Sequence, residues 1–157
     1  MGFLPHQGVG RGFFYPYLYP NMGRILCIDY GTKKSGIAVT DPLQIIVSGL
    51  ITVATKDLEA FLIDYLDQEE VEEIVIGYPR YPDGKPAQIA PLVDKFYQNM
   101  KKLFTSVRMQ LHDERNSTKD AKHILAKSGL PKKKRRNKAL VDKISAVLIL
   151  QDYLSHI

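Results

Sequence analysis

A short apolar run, EIVIG at residues 73–77, lies between two segments with helical periodicity. Apolar side chains in direct succession are typical of a strand that is buried on both faces, because a strand with one wet face would alternate. The flanking patterns at 56–69 and 87–103 predict helices that can cover such a strand. The run therefore indicates an α/β fold.

Three β-rich runs precede this strand, and one strand and two helical patterns follow the second helix. A Gly-Thr-Lys-Lys turn joins the first two runs and predicts a β-hairpin. Ser117 or Thr118 can cap the third helix, and Asn137 can cap the last. Three turn-linked strands followed by alternation with helices predict a mixed five-stranded α/β sheet flanked by helices, in the order β-β-β-α-β-α-β-α-α. The remaining predicted elements are strands at 24–30, 35–40, 45–53 and 107–112 and helices from 117 or 118 to about 129 and at 138–155.

Residues 1–21 differ from the rest of the chain. They hold six of the fifteen aromatic residues, three prolines and four glycines. We expect a disordered extension here, with an aromatic arm that docks on the body or on a partner as the alternative. Residues 22–157 are expected to form a single domain, in keeping with the length of the chain.

The net charge of +5 is concentrated in one segment. Residues 122–143 contain nine basic residues and one acidic residue, whereas the rest of the chain is mildly acidic. A local positive charge of this kind predicts a polyanionic partner, most simply nucleic acid. The acids between 57 and 73, Glu73 included, are expected on a solvated face. The single cysteine, Cys27, excludes an intrachain disulfide and a cysteine-rich zinc site, and no run is long and apolar enough for a membrane span.

Two acidic residues follow apolar strands, where a solvated surface does not explain them. Asp29 ends the first strand, where a carboxylate is costly unless its charge is compensated. Glu114 lies just beyond the fifth strand, and strand ends are where α/β proteins place their chemistry. A turn-initiating Asp29 and an ion pair made by Arg115 are the structural alternatives. The sequence does not separate Glu114 from its neighbour Asp113.

A third acid, Asp142, lies near the start of the last helix. Helix N-termini favour anions, so capping is the structural alternative. Ser145 and Ala146 lie three and four residues later on the same helix face, and such small residues let a helix approach a sheet closely. The pattern therefore predicts that Asp142 points towards the strand that carries Asp29.

Three carboxylates that converge at one sheet edge would repel one another unless cations bound them. Oxygen ligands of this kind suit Mg²⁺ or Mn²⁺. Two such ions can activate a water and stabilise the leaving oxygen in phosphodiester cleavage. The predicted basic loop at 131–138 directly precedes Asp142 and would hold a phosphate backbone there. The residues themselves thus suggest a metal-dependent nuclease built on Asp29, Glu114 and Asp142.

Four motifs in this order resemble one known family. The chain resembles the YqgF-type pre-16S rRNA nucleases, relatives of the RuvC Holliday-junction resolvases within the ribonuclease H-like fold. The resemblance covers about residues 23–157. It rests on ILCIDYGTKKSGIAVTD, IVIGYPRYPDGKPA, HDERNST and VDKISAVLILQDYL.

The resemblance assigns the three acids directly. The family's D-x-G acid falls on Asp29, its D-E-R acid on Glu114, and the acid that opens its last helix on Asp142. Asn116 after the D-E-R motif is a mild departure, as is serine in the small pair at 145–146, where the family more often has two alanines. The implied activity is Mg²⁺- or Mn²⁺-dependent cleavage that matures the 5′ end of 16S rRNA in a bacterial cytoplasm, on ribosomal precursor particles.

Other functions stay open at this point. The family resemblance also allows resolution of Holliday junctions in DNA, which would need a homodimer rather than a monomer. A module that binds RNA or ribosomes without cutting would need the basic run but not the carboxylates. The hairpin also resembles the phosphate-binding hairpin of actin-like and sugar-kinase ATPases, but those enzymes need a second such domain, and this chain is too short for one.

Several basic residues are candidates for phosphate contact. Lys33 and Lys34 lie in the hairpin turn near Asp29, and Arg115 lies in the D-E-R motif; solvation and ion pairing are their alternatives. His112 could assist proton transfer or be only a strand-end residue. In the basic run, like charges so close together repel one another unless a polyanion binds them, so we expect nucleic-acid contact from Lys132, Lys133, Lys134, Arg135 and Arg136.

Overall fold

The computed structural model describes residues 23–156, and the predicted extension at 1–21 lies outside them. Five strands form one sheet in the order β3-β2-β1-β4-β5. β1 pairs antiparallel with β2, as does β2 with β3, whereas β1–β4 and β4–β5 are parallel. The predicted mixed α/β sheet of ribonuclease H-like type is confirmed. The strands are β1 (Arg24–Asp29), β2 (Lys34–Thr40), β3 (Val47–Ala54), β4 (Val71–Pro79) and β5 (Arg108–Glu114).

Helices lie on both faces of the sheet. The first begins with a 3-10 turn at Thr55–Asp57, and the basic run, predicted as a loop, forms a short helix of its own. Asn137 caps the last helix as predicted, since its side chain accepts a hydrogen bond from the Leu140 amide at 3.2 Å. The helices are α1 (Leu58–Gln68), α2 (Ala90–Leu103), α3 (Ser117–Ala126), α4 (Lys132–Arg135) and α5 (Lys138–Leu154).

Alternation along β1 divides the core between the two faces. Leu26 and Ile28 are fully buried in the larger cluster, with side chains of α1 and α2. Ile25 and Cys27 point the other way and pack with Ala146 of α5. This division follows from the period of two in a strand. The helix α5 therefore crosses the face opposite α1 and α2. Among residues 23–156, no helix combines the length and apolar character that a bilayer crossing needs.

Two further local predictions are wrong. Glu73 is only 3% exposed, because β4 begins at Val71 and turns this carboxylate into the protein, where Arg108 lies 3.8 Å away. Burial and a hydrogen bond to Glu73 raise the pKa of Tyr153 to about 12. Neither Ser117 nor Thr118 caps α3, because the cap position is Asn116, whose side chain makes no capping bond.

Candidate active site at the carboxyl end of the sheet

Two of the three predicted acids end parallel strands. Asp29 is the last residue of β1 and Glu114 the last residue of β5, with β4 between them. Since these strands run in the same direction, both carboxylates lie at the same edge of the sheet. β5 extends further than the predicted 107–112, so Glu114 belongs to the strand rather than to the loop beyond it.

The third acid reaches this edge because a glycine lets α5 touch the sheet. Gly36 of β2 pairs with Asp29 of β1. A Cβ atom at position 36 would lie 2.1 Å from the backbone oxygen of Asp142, closer than any real contact. Ser145 and Ala146 are fully buried on the same helix, as the small pair predicts. Asp142 therefore lies over the residue that pairs with Asp29.

The three acids are close enough for their charges to interact. Burial, the charge of Glu114 and the charge of Asp142, in that order of size, together raise the pKa of Asp29 to about 8, although Lys138 lowers it. Burial and the charges of Asp29 and Glu114 also raise the pKa of Cys27 well above its ordinary value. Near neutral pH Asp29 therefore carries a proton much of the time, and Cys27 is an inert, buried thiol.

Hydrogen bonds orient the other two carboxylates. Oε1 of Glu114 accepts bonds from the amide of Ser117 at 3.2 Å and from its hydroxyl. Oδ1 of Asp142 accepts a bond from Nζ of Lys138 at 3.3 Å. Oδ2 of Asp142 and the hydroxyl of Ser145 are buried without a hydrogen-bond partner in the described part of the chain.

The site has the chemistry of a divalent-cation centre. A buried carboxylate oxygen without a partner costs free energy, and the raised pKa of Asp29 reflects the same burial and excess of negative charge. A hard cation with oxygen ligands relieves both. The donor set of Asp29, Glu114 and Asp142 therefore fits Mg²⁺ or Mn²⁺.

The structure separates Asp113 from Glu114, which the sequence does not. Asp113 is exposed and lies 3.4 Å from Nε of Arg80 and 3.1 Å from the Arg115 guanidinium. Arg115 thus makes the ion pair that was its structural alternative, and its guanidinium lies beside Gly84 in the loop after β4. Asp113 thus pairs with two arginines at the surface, whereas Glu114 is the acid that faces Ser117 and α5.

The predicted basic residues lie on the surface around this edge. Lys33 lies in the turn after Asp29 and Lys34 begins β2, and both are exposed. Residues 132–135 form α4, and Arg136 and Asn137 join it to α5. A cavity of about 470 Å³ between α3, α4 and α5 is lined partly by basic side chains: Lys122, Arg135, Arg136 and Lys138.

Four residues around the site were not singled out for these contacts from the sequence. Ser117 follows Glu114 by three residues, and Lys138 precedes Asp142 by four, so local spacing gives a weak signal for both. Gly36 lies against Asp142, which is 106 residues later in the chain, and Arg80 pairs with Asp113, which is 33 residues later. Contacts over that distance have no signature in a single sequence.

Comparison with known proteins gives a consistent result. The model of the family described as RuvX, Holliday junction resolvase, matches residues 23–156. A Flavobacterium psychrophilum protein is 48% identical over 85% of this chain and 98% of its own length. A Flavobacterium johnsoniae protein is 47% identical over 85% of this chain and 97% of its own length. A Porphyromonas gingivalis protein is 45% identical over 86% of this chain and 98% of its own length. All three bear the name "Putative pre-16S rRNA nuclease".

Proposed function

The chain belongs to the RuvX family, and on that premise we propose that it is a metal-dependent endonuclease. The substrate is the precursor of 16S rRNA, whose 5′ end it matures by phosphodiester hydrolysis on ribosomal precursor particles in a bacterial cytoplasm. The observation that carries the proposal is the convergence of Asp29, Glu114 and Asp142 at one sheet edge beside a basic helix. The names of the relatives support this choice of substrate.

Asp29, Glu114 and Asp142 would together hold one or two Mg²⁺ or Mn²⁺ ions. Such ions supply the positive charge that makes a water acidic enough to attack phosphorus and that offsets the charge on the leaving oxygen. Asp29 gives up its proton when the cation binds, because the cation replaces the proton as counter-charge. Ser117 keeps Glu114 in place through two hydrogen bonds, and Lys138 orients Asp142.

The basic helix α4 and the cavity behind it would bind the phosphate backbone. Four cationic side chains line this cavity, which adjoins the start of α5, where Asp142 lies. Charges at this position would hold a polyanion against the carboxylate edge, which otherwise repels it. Lys33, Lys34 and Arg115 would contact phosphates at the edge itself.

Metal binding is expected to release a proton and to strengthen with pH. Asp29 binds its proton with a pKa of about 8 and must lose it to become a ligand. Below pH 8 the affinity for Mn²⁺ should therefore rise by up to about tenfold per pH unit, and level off above it. Calorimetry in buffers of different ionisation enthalpy measures the proton release. An affinity that stays constant between pH 6 and 8 would contradict this role of Asp29.

Removing charge from α4 is expected to weaken nucleic-acid binding in a salt-dependent way. The variant replaces Lys132, Lys133, Lys134 and Arg136 with serine and so removes four charges. Arg135 is kept because its Nε donates a hydrogen bond to the Leu130 carbonyl at 3.0 Å. The slope of log K against log salt should become shallower by about 3, since each phosphate contact contributes 0.7–0.9. Fluorescence anisotropy with a labelled 16S precursor fragment measures both affinity and slope.

A control removes charge from the other face. Lys95, Lys101 and Lys102 are exposed on α2, on the side of the sheet away from α5. Replacing these three lysines with serine should leave the salt slope nearly unchanged. Equal slopes for the two variants would mean that α4 contributes only net charge and makes no phosphate contact.

Holliday-junction resolution is the second candidate, because the matching family model carries that description. The same carboxylates would serve, but symmetrical cutting of two strands needs two copies of the site. Cleavage assays with Mg²⁺ on a 16S precursor and on a four-way DNA junction, together with the mass in solution, separate the two. Our proposal predicts cleavage of the RNA; paired cuts in the junction alone, by a dimer, would overturn it.

A further inference from the structure

A second group of metal-binding side chains lies beyond the three carboxylates, at the end of α5. His112 of β5, Asp152 of α5 and His156 just after α5 offer ligand atoms that all lie within 4.8 Å of one another. Nε2 of His112 lies 2.6 Å from Oδ2 of Asp152, and the rings of His112 and His156 are 5.8 Å apart. We infer that these residues, the His-Asp-His cluster, form a Zn²⁺ site.

The ligand set favours zinc over the ions of the carboxylate centre. Two imidazoles and one carboxylate are the protein ligands of many open zinc sites, whereas Mg²⁺ prefers oxygen ligands alone. Three protein ligands leave a fourth tetrahedral position for water or an anion. The side chain of His112 is only 17% exposed, while that of Asp152 is 57% exposed. One ligand is thus held by the fold, and the other side of the site is open for the ion to enter.

Hydrogen bonds to the ring of His156 prepare it for such a role. Its Nδ1 lies 2.7 Å from the backbone carbonyl oxygen of Asp152, which can only accept, so Nδ1 carries the proton. The lone pair is therefore on Nε2. Metal-binding histidines usually donate their other ring N–H to a carbonyl or carboxylate in this way. Tyr153 packs its ring edge-on against His112 at 5.4 Å and restricts the orientation of that imidazole.

Only a small movement separates the cluster from zinc geometry. Two ligand atoms on one tetrahedral Zn²⁺ lie roughly 3.3 Å apart, given metal–ligand distances near 2.0–2.1 Å. Nε2 of His112 and Oδ2 of Asp152 are closer, at 2.6 Å, because they share a hydrogen bond, and Zn²⁺ would replace the proton between them. Asp152 is on the exposed side of the cluster, so a rotation of its carboxylate supplies the difference. The bound ion would then join the end of α5 to β5, the two elements that carry Asp142 and Glu114.

Zinc titration of the full chain, stripped with chelator, tests the inference. We expect one Zn²⁺ per chain by competition with a chromophoric chelator, and a higher Tm in its presence. His112→Gln and His156→Gln should each lower the affinity at least about 100-fold, as expected for loss of a ligand. Both variants should remain folded without zinc, because neither residue is in the core.

The chain supplies a matched control, since it has four histidines. The double variant His6→Gln, His123→Gln removes the two outside the cluster and should bind zinc as the wild type does. Asp29→Asn should also bind zinc normally, so failure of this inference is distinct from failure of the nuclease proposal. Absence of zinc binding by the wild type would overturn the inference. Unchanged affinity in both cluster variants would do so as well.

Discussion

Asp29→Asn is expected to lower Mg²⁺-dependent cleavage of a 16S precursor by about 10³-fold, the upper range for losing one group that stabilises charge in a transition state. Asparagine keeps the size and shape of the side chain but cannot carry the negative charge that a divalent cation needs. The carboxylate ends β1, where burial and the charges of Glu114 and then Asp142 raise its pKa, so a bound cation would take the place of its proton. Gel assays of a labelled precursor over a range of Mg²⁺ concentrations measure the effect.

The stability of the same variant is the control for its folding. The pKa of Asp29 is about 8 in the fold and near 3.8 in the unfolded chain, so the native state retains a proton that the unfolded state loses. Between about pH 4 and 8 the wild type without metal should therefore lose stability as pH rises, by up to about 1.4 kcal/mol per unit from this group. Asp29→Asn should lack this loss and be at least as stable at pH 8 in chelator. An inactive variant that is also unfolded would not support a catalytic role, and a variant that cuts like the wild type would refute one.

Gly36→Ala is expected to have the largest effect on folding. The added methyl group would lie 2.1 Å from the oxygen and 2.5 Å from the carbonyl carbon of Asp142, and these backbone atoms cannot move without α5. Overpacking of this kind costs about 3 kcal/mol, the upper end of the usual range. In a domain of this size that lowers Tm by roughly 6–12 °C. Cleavage should fall as well, because α5 carries Asp142 away from Asp29. Thermal unfolding and the gel assay measure the two effects.

Gly49→Ala is the matched control. This glycine also lies in a strand beneath α5, but a Cβ there would meet side chains and not backbone, with Cγ of Lys143 at 2.8 Å and Cγ2 of Val147 at 3.4 Å. A side chain can rotate whereas the backbone of α5 cannot, so the cost should be clearly smaller than that of Gly36→Ala. Equal losses of Tm for Gly36→Ala and Gly49→Ala would show that the close contact between α5 and Gly36 does not restrict the fold.

The sequence predicts the parts of this structure that depend on local patterns. The alternation in β1, the buried run in β4 and the Asn137 cap are local, and each predicted element is present. Asp29, Glu114 and Asp142 were predicted from unusual placement and from the family motifs, and the structure brings them to one edge of the sheet. Their role as metal ligands remains a prediction.

What the sequence does not reveal depends on contacts between distant residues. The choice between Asp113 and Glu114 follows from ion pairs with Arg80 and Arg115 and from the side of β5 that each acid occupies. The burial of Glu73 depends on where β4 begins and on packing near Tyr153. A helical turn of like charges at 132–135 is stable only in its tertiary context, since isolated turns do not persist.

The most direct test of the metal centre is a crystal structure with Mn²⁺, measured for anomalous scattering. We expect a Mn²⁺ peak coordinated by carboxylate oxygens of Asp29, Glu114 and Asp142, and no such peak in crystals of Asp29→Asn. The opposite result is Mn²⁺ bound elsewhere while these three carboxylates stay metal-free. Found at a pH above 8 with a substrate analogue present, that result would contradict the proposed metal centre.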